Sequence, residues 1–148
     1  PRFGYWDRGE TDFCSIFASN GFIQYGLLTG NQESFGLGIG MLKDQVEKIS
    51  RSEPEGAMRT HGPRMIVLGA IGEVLKTIQV QPQSGIFDLD ALRDNLIRME
   101  LPFICYILEN HYREDPPVFW EHSDFAGNPA SDDNGHILVD PGHATECS

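Results

Sequence analysis

Four stretches in succession repeat their apolar residues at helical spacing, and no β-type alternation interrupts them before Tyr112, which restricts the folds open to this chain more than any other feature. In the first, Phe13, Phe17, Gly21 and Tyr25 recur at i, i+4, while Ile16, Ile23 and Leu27 broaden the stripe. This predicts a helix of about five turns, with Thr11 or Asp12 as N-cap and Gly30 as the C-terminal stop. Asn31 caps the second helix, whose Phe35, Leu37, Ile39, Leu42, Val46 and Ile49 run toward Arg51. Gly36, Gly38 and Gly40 cost it roughly 1 kcal/mol each in helix propensity, so they are read as points where a neighbouring helix comes close. Their Phe-Gly-Leu-Gly-Ile-Gly run lacks the G-x-G-x-x-G spacing of a phosphate loop. Pro63 opens the third helix; Met65, Leu68, Ile71, Leu75 and Ile78 keep its period, with Gly69, Ala70 and Gly72 as further small contacts. Asp88 caps the fourth, through Leu89, Leu92, Leu96 and Met99. Pro102 interrupts it before Phe103, Tyr106 and Ile107 resume the period, predicting one kinked helix or two short ones in line.

Beyond Tyr112 the pattern changes. Val118-Phe119-Trp120 and His136-Ile137-Leu138-Val139 are strand-like runs flanking a segment rich in Gly, Asn, Pro and Asp, residues 124–135. The fold class expected is all-α, antiparallel helices with a β-hairpin-like excursion before the last motif. Bundle, solenoid and α/α barrel stay open on pattern alone. An aromatic strand or loop is expected at Phe3, Tyr5 and Trp6. The start at Pro1 and the stop soon after Glu146 suggest a fragment, residues 1–148 forming a single domain within a longer protein.

Lys and Arg total 11 against 22 Asp and Glu, a net charge of −11. That argues against nucleic-acid and anionic-membrane partners and favours a neutral or cationic small substrate. With 40% hydrophobic residues and no apolar run of bilayer length, the composition is that of a soluble globular domain. Cys14 and Cys105 sit inside apolar helical patterns and Cys147 lies near the end, so reduced, buried thiols and a cytoplasmic location are expected. No metal-ligand spacing joins His61, His111, His122, His136 and His143, so no metal or cofactor is expected.

The chemistry-bearing stretch is Pro141-Gly142-His143-Ala144-Thr145-Glu146. Pro141 and Gly142 make a corner; in a helix starting there, His143 and Glu146 share a face, where the carboxylate can tune the imidazole for proton transfer. By spacing alone, an exposed His and Glu at a capped helix start is the simpler reading. Arg64 and His61, near the start of the third helix, are candidate ligands for substrate oxygens. Trp6, Phe119 and Trp120 are candidates for stacking on a sugar ring, against the more ordinary reading of large aromatics as core. His111, His122 and His136 are read as surface or structural residues, and Asp132-Asp133 as a solvated turn.

As a set, these residues resemble the N-acylglucosamine 2-epimerase superfamily. Phe13-Cys14-Ser15-Ile16-Phe17 followed by Gly21, Tyr25 and Thr29-Gly30-Asn31 is similar to a family helix. Gly62-Pro63-Arg64-Met65-Ile66 looks like its entry into an inner helix, and Asn110-His111-Tyr112-Arg113 like the helix before its hairpin. Phe119-Trp120-Glu121 and Gly127-Asn128-Pro129 then lead to the family's Pro-Gly-His-x-x-Glu signature at Pro141 to Glu146. Two positions depart from the pattern: Cys14-Ser15 replaces a common Ser-Glu, and Asp140 replaces the Asn before Pro-Gly-His. The resemblance covers nearly the whole chain and implies the central part of an (α/α)6 barrel. It implies a sugar epimerase or isomerase working by proton abstraction next to the carbonyl of an open-chain aldose, without a cofactor. His143 is then the catalytic base, Glu146 its catalytic partner, and Arg64, His61 and Trp120 bind substrate; a second catalytic histidine would lie beyond these residues. The partner expected is a small-molecule sugar, with a homodimer of the full-length protein also open. A glycoside hydrolase on a related barrel and a non-catalytic carbohydrate-binding relative are the alternatives.

Overall fold

The computed structural model describes residues 13–51, 59–80, 87–140 and 142. Four helices, α1 (Phe13–Thr29), α2 (Gln32–Arg51), α3 (Gly62–Val80) and α4 (Leu89–His111), take up most of them. Four two-residue strands accompany them: β1 (Arg59–Thr60), β2 (Tyr112–Arg113), β3 (Val118–Phe119) and β4 (His122–Ser123). Pairing is antiparallel, β1 with β4 and β2 with β3. The chain divides into two compact units, residues 1–52 with 70–98, and residues 53–69 with 99–148. The readings at Phe3, Tyr5 and Trp6, the caps at Thr11 and Asp12, and the corner at Pro141 lie outside the described residues.

In the first unit α1 and α2 form a helical hairpin. Gly30, at φ +71°, turns the chain, and the Asn31 side chain accepts the Ser34 N–H at 2.9 Å as the N-cap of α2. The helices pack closely at two glycines. A Cβ on Gly26 would lie 2.6 Å from the Phe35 Cβ, and one on Gly38 would lie 2.7 Å from the Ile23 nitrogen and the Ser19 carbonyl oxygen. So close a contact excludes large side chains, which decides the face α1 buries: Ile16, Ser19, Ile23, Gly26 and Leu27. The i, i+4 stripe of Phe13, Phe17 and Tyr25 is turned outward, with Phe17 63% and Tyr25 54% exposed. That corrects its reading as the core-facing stripe. Cys14 and Cys105 are exposed free thiols, not buried ones; Cys105 lies in the same stretch of α4 as the exposed Leu101 and Leu108. Gly36, Gly40, Gly69 and Gly72 have open space where a side chain would be, so the close-contact reading holds at Gly38 and fails at these four. Gln24 ties α1 to α3, donating to the Glu73 carbonyl at 3.1 Å and accepting from the Thr77 hydroxyl at 2.5 Å.

In the second unit, α4 runs through Pro102 as one helix. The predicted hairpin resolves into smaller pieces. Val118–Phe119 pairs with Tyr112–Arg113, not with 136–139, and residues 136–139 contribute only a bridge from Ile137 to Ser131 and a hydrogen bond from the Glu121 N–H to the Leu138 carbonyl. Between them lie two turns of one design. Asp124 Oδ1 accepts the N–H groups of Ala126 and Asn128 at 2.8 and 2.9 Å, and Asp132 Oδ1 those of Asn134 and His136 at 2.9 and 2.8 Å. Gly127 and Gly135 supply the positive φ in each, +82° and +80°. These bonds hold both carboxyl groups below their ordinary range: for Asp124 the Asn128 side chain contributes most, for Asp132 the His136 backbone N–H.

Gly38→Ala should destabilise the protein by about 1–3 kcal/mol through forced separation of α1 and α2. Gly40→Ala, two residues away in open space, should be neutral or stabilising by up to about 1 kcal/mol. Urea denaturation of the pair provides the measurement, and equal effects would refute close packing at Gly38.

Candidate functional site

Segment 118–123 assembles the candidate site. Its first part pairs with the strand that leaves α4 and its last part with the strand that enters α3, placing Trp120 and Glu121 between two ladders. Each ladder continues by one position beyond its strands. His111 follows the β2–β3 register: its carbonyl accepts the Trp120 N–H at 3.1 Å, and its Nδ1 meets the Trp120 carbonyl at 3.1 Å. His61 follows the β1–β4 register, and its Nε2 lies 3.3 Å from Glu121 Oε1. The Trp120 indole N–H donates to the Asn110 carbonyl at 3.0 Å, capping the end of α4. At the other helix, the His61 carbonyl accepts the N–H groups of Arg64 and Met65 at 2.9 and 3.0 Å, which starts α3.

The imidazoles this produces are shut off from water: His61 is 1% exposed and His111 0%. Their rings meet edge to face with centroids 5.2 Å apart. A carbonyl can only accept, so His111 Nδ1 carries its proton and Nε2 presents a lone pair, buried without a hydrogen-bond partner. Burial pushes the His111 pKa down to about 4, against the Trp120 carbonyl, which raises it; His61, Arg64 and His122 lower it further. The ring is therefore neutral at pH 7.

Two arginines are held near the end of α4. The Arg64 guanidinium stacks 3.7 Å from the centre of the Tyr106 ring. Arg59 donates to Asn110 Oδ1 and lies over the Phe125 ring at 5.4 Å. Burial lowers the Arg64 pKa, with Tyr106 opposing and Arg59 adding to the shift. Elsewhere in this unit, a cavity of about 370 Å³ is lined by His122, Ala130, Ser131, Asp132, His136, Ile137 and Leu138.

Of the residues singled out in the sequence, His61, Arg64 and Trp120 come together here. Arg64 is half-buried, whereas Trp120 is 5% exposed with its N–H engaged, which makes its ring part of the core and not a stacking surface. His143, Glu146 and Trp6 lie outside the described residues. Sequence reasoning missed Glu121, Asn110 and Tyr106 and assigned His111 no role in chemistry. The signal that could have found Tyr106 and Asn110 is their i, i+4 spacing at the end of α4. Among the described residues no group of three His, Cys, Asp or Glu is placed to hold a metal, and no helix is long and apolar enough to cross a membrane. In comparisons with protein-family models and with curated proteins, nothing matches the chain.

Two outcomes follow from the buried histidine. His111 is neutral when folded and has a folded pKa of about 4 against an ordinary 6.5, so the unfolded chain binds more protons between these values. Stability should therefore fall as pH drops through this window, by about 3 kcal/mol between pH 7 and 4 from this residue. Urea unfolding across that range should show a shallower dependence in His111→Gln; equal slopes would contradict the assignment. Trp120→Phe should cost about 1–3 kcal/mol by leaving the Asn110 carbonyl unsatisfied, read as a lower denaturation midpoint.

Proposed function

We propose that the chain is the central part of an (α/α)6 barrel of the N-acylglucosamine 2-epimerase type, in a protein that epimerises or isomerises open-chain sugars. The observation that carries this reading is the convergence of Arg64, His61, His111 and Glu121 where α3 starts and α4 ends. A half-buried guanidinium there stands close in sequence and register to water-excluded polar groups, a setting in which charge developing on a substrate oxygen is strongly stabilised. The sequence motif supplies the other half of the argument.

The difficult step is removal of the proton on the carbon next to the aldose carbonyl. In the proposed reaction His143 takes that proton, leaving the electron pair shared between carbon and the carbonyl oxygen as an enediolate. Glu146, three residues on, raises the basicity of the imidazole. Arg64 donates N–H groups to a substrate oxygen. Proton return to the same carbon from the opposite face gives the 2-epimer, and transfer to C1 gives the ketose. The base for the opposite face belongs to another part of the protein in this family.

The full-length protein incubated with aldoses in deuterium oxide should incorporate deuterium at C2. His143→Asn should abolish that exchange, and Glu146→Gln should slow it by about 10²-fold or more. Release of reducing sugar from a glycoside without exchange at C2 would replace this reading with a hydrolase; unimpaired exchange in His143→Asn would remove His143 as the base.

A further inference from the structure

Among the described residues, every lysine and arginine is exposed except two, Arg59 and Arg64, which are half-buried. The exposed ones include Lys48, Arg51, Lys76 and Arg93, each in an ion pair with a carboxylate of its own helix. Neither Arg59 nor Arg64 forms an ion pair among the described residues. Their contacts are an amide oxygen and two aromatic faces. The carboxylates nearby are engaged elsewhere, Glu121 with His61 and Asp124 within its own turn. Lys43, Arg98 and Arg113 also lack an ion pair among the described residues, but they are exposed to water; Arg59 and Arg64 are not fully so. A partly buried charge without a counter-ion loses hydration that only an opposite charge restores in full.

The two side chains are also held at a common place. Tyr106 and Asn110 stand at i and i+4 on α4, bound together by the Asn110 amide donating to the Tyr106 carbonyl at 2.8 Å. Arg64 is anchored on the first and Arg59 on the second, so both guanidiniums are tethered to adjacent turns of one helix face. The lowering of the Arg64 pKa, owed first to burial and in smaller part to Arg59, agrees with this proximity. Planar guanidinium forks suit the oxygens of a phosphate, sulfonate or carboxylate group, and these two are held by neighbouring anchors.

We propose that Arg59 and Arg64 form an oxyanion-binding subsite, and that the small polyol this protein handles carries an anionic group, a sugar phosphate being the best fit. The strongly acidic composition points toward neutral or cationic ligands, but net charge describes the far field, whereas these two residues set the potential at the site. The polyol part rests on the function proposed above; the anion site does not.

Calorimetric titration at low ionic strength separates the two. A hexose 6-phosphate should bind the full-length protein at least tenfold more tightly than the free hexose, and inorganic phosphate should compete with it. Arg59→Gln and Arg64→Gln should each weaken the phosphorylated ligand at least fivefold, and Arg59→Gln should leave the free hexose unchanged. Circular dichroism reports whether each variant keeps its helices; if Arg64→Gln unfolds, Arg59→Gln decides the matter. Equal affinity for hexose and hexose phosphate, or phosphate binding untouched by a folded Arg59→Gln, would overturn the subsite. Phosphate binding that depends on both arginines in a protein showing no exchange at C2 would keep the subsite and sink only the proposed reaction.

Discussion

The second unit depends on backbone pairing along residues 118–123. Six residues with two strand partners settle where α4 stops and where α3 begins. The two positions left between the ladders, Trp120 and Glu121, are thereby forced against His111 and His61. No helix in this unit could supply such positioning by side-chain packing alone, because apolar contact is non-directional. Backbone hydrogen bonds fix register, and register here brings four polar groups into one dry space.

That space is expensive in polar terms and yet nearly satisfied. Trp120 uses its carbonyl on one imidazole, its amide on the same residue's carbonyl and its indole N–H on the neighbouring carbonyl. His111 avoids the cost of a buried charge by staying neutral. The arginines face the opposite situation, since guanidinium cannot shed its proton in this range. Aromatic faces and an amide oxygen hold them in geometry without cancelling their charge.

The helices were legible in the sequence because their apolar spacing and caps are local signals. Asn31 and Asp88 cap where their residue types say they should. Which face α1 buries was not legible: two apolar stripes compete there, and the choice turns on the close approach at Gly26 and Gly38, a tertiary fact. Val118–Phe119 was legible as a strand, while β1, β2 and β4 escaped notice because two residues carry no periodicity. Arg59–Thr60 in particular sits in a polar connection and becomes a strand only because 122–123 comes to meet it. His61, Arg64 and Trp120 were readable as candidates one by one. Glu121 was not, since its link to His61 is register and not spacing; Tyr106 and Asn110 carry only their i, i+4 spacing, which does not by itself name the arginines they hold.

The two ladders differ in how much chain they enclose. His111 and Trp120 are 9 residues apart, whereas His61 and Glu121 enclose roughly sixty, and closing the longer loop costs on the order of 2 kcal/mol more in chain entropy. The short ladder therefore carries its own nucleus, while the long one holds only as long as the helices between its ends stay folded. In hydrogen-exchange terms the amides around Trp120 belong to a local opening unit, and those of Arg59 and Thr60 report on the integrity of the whole second unit.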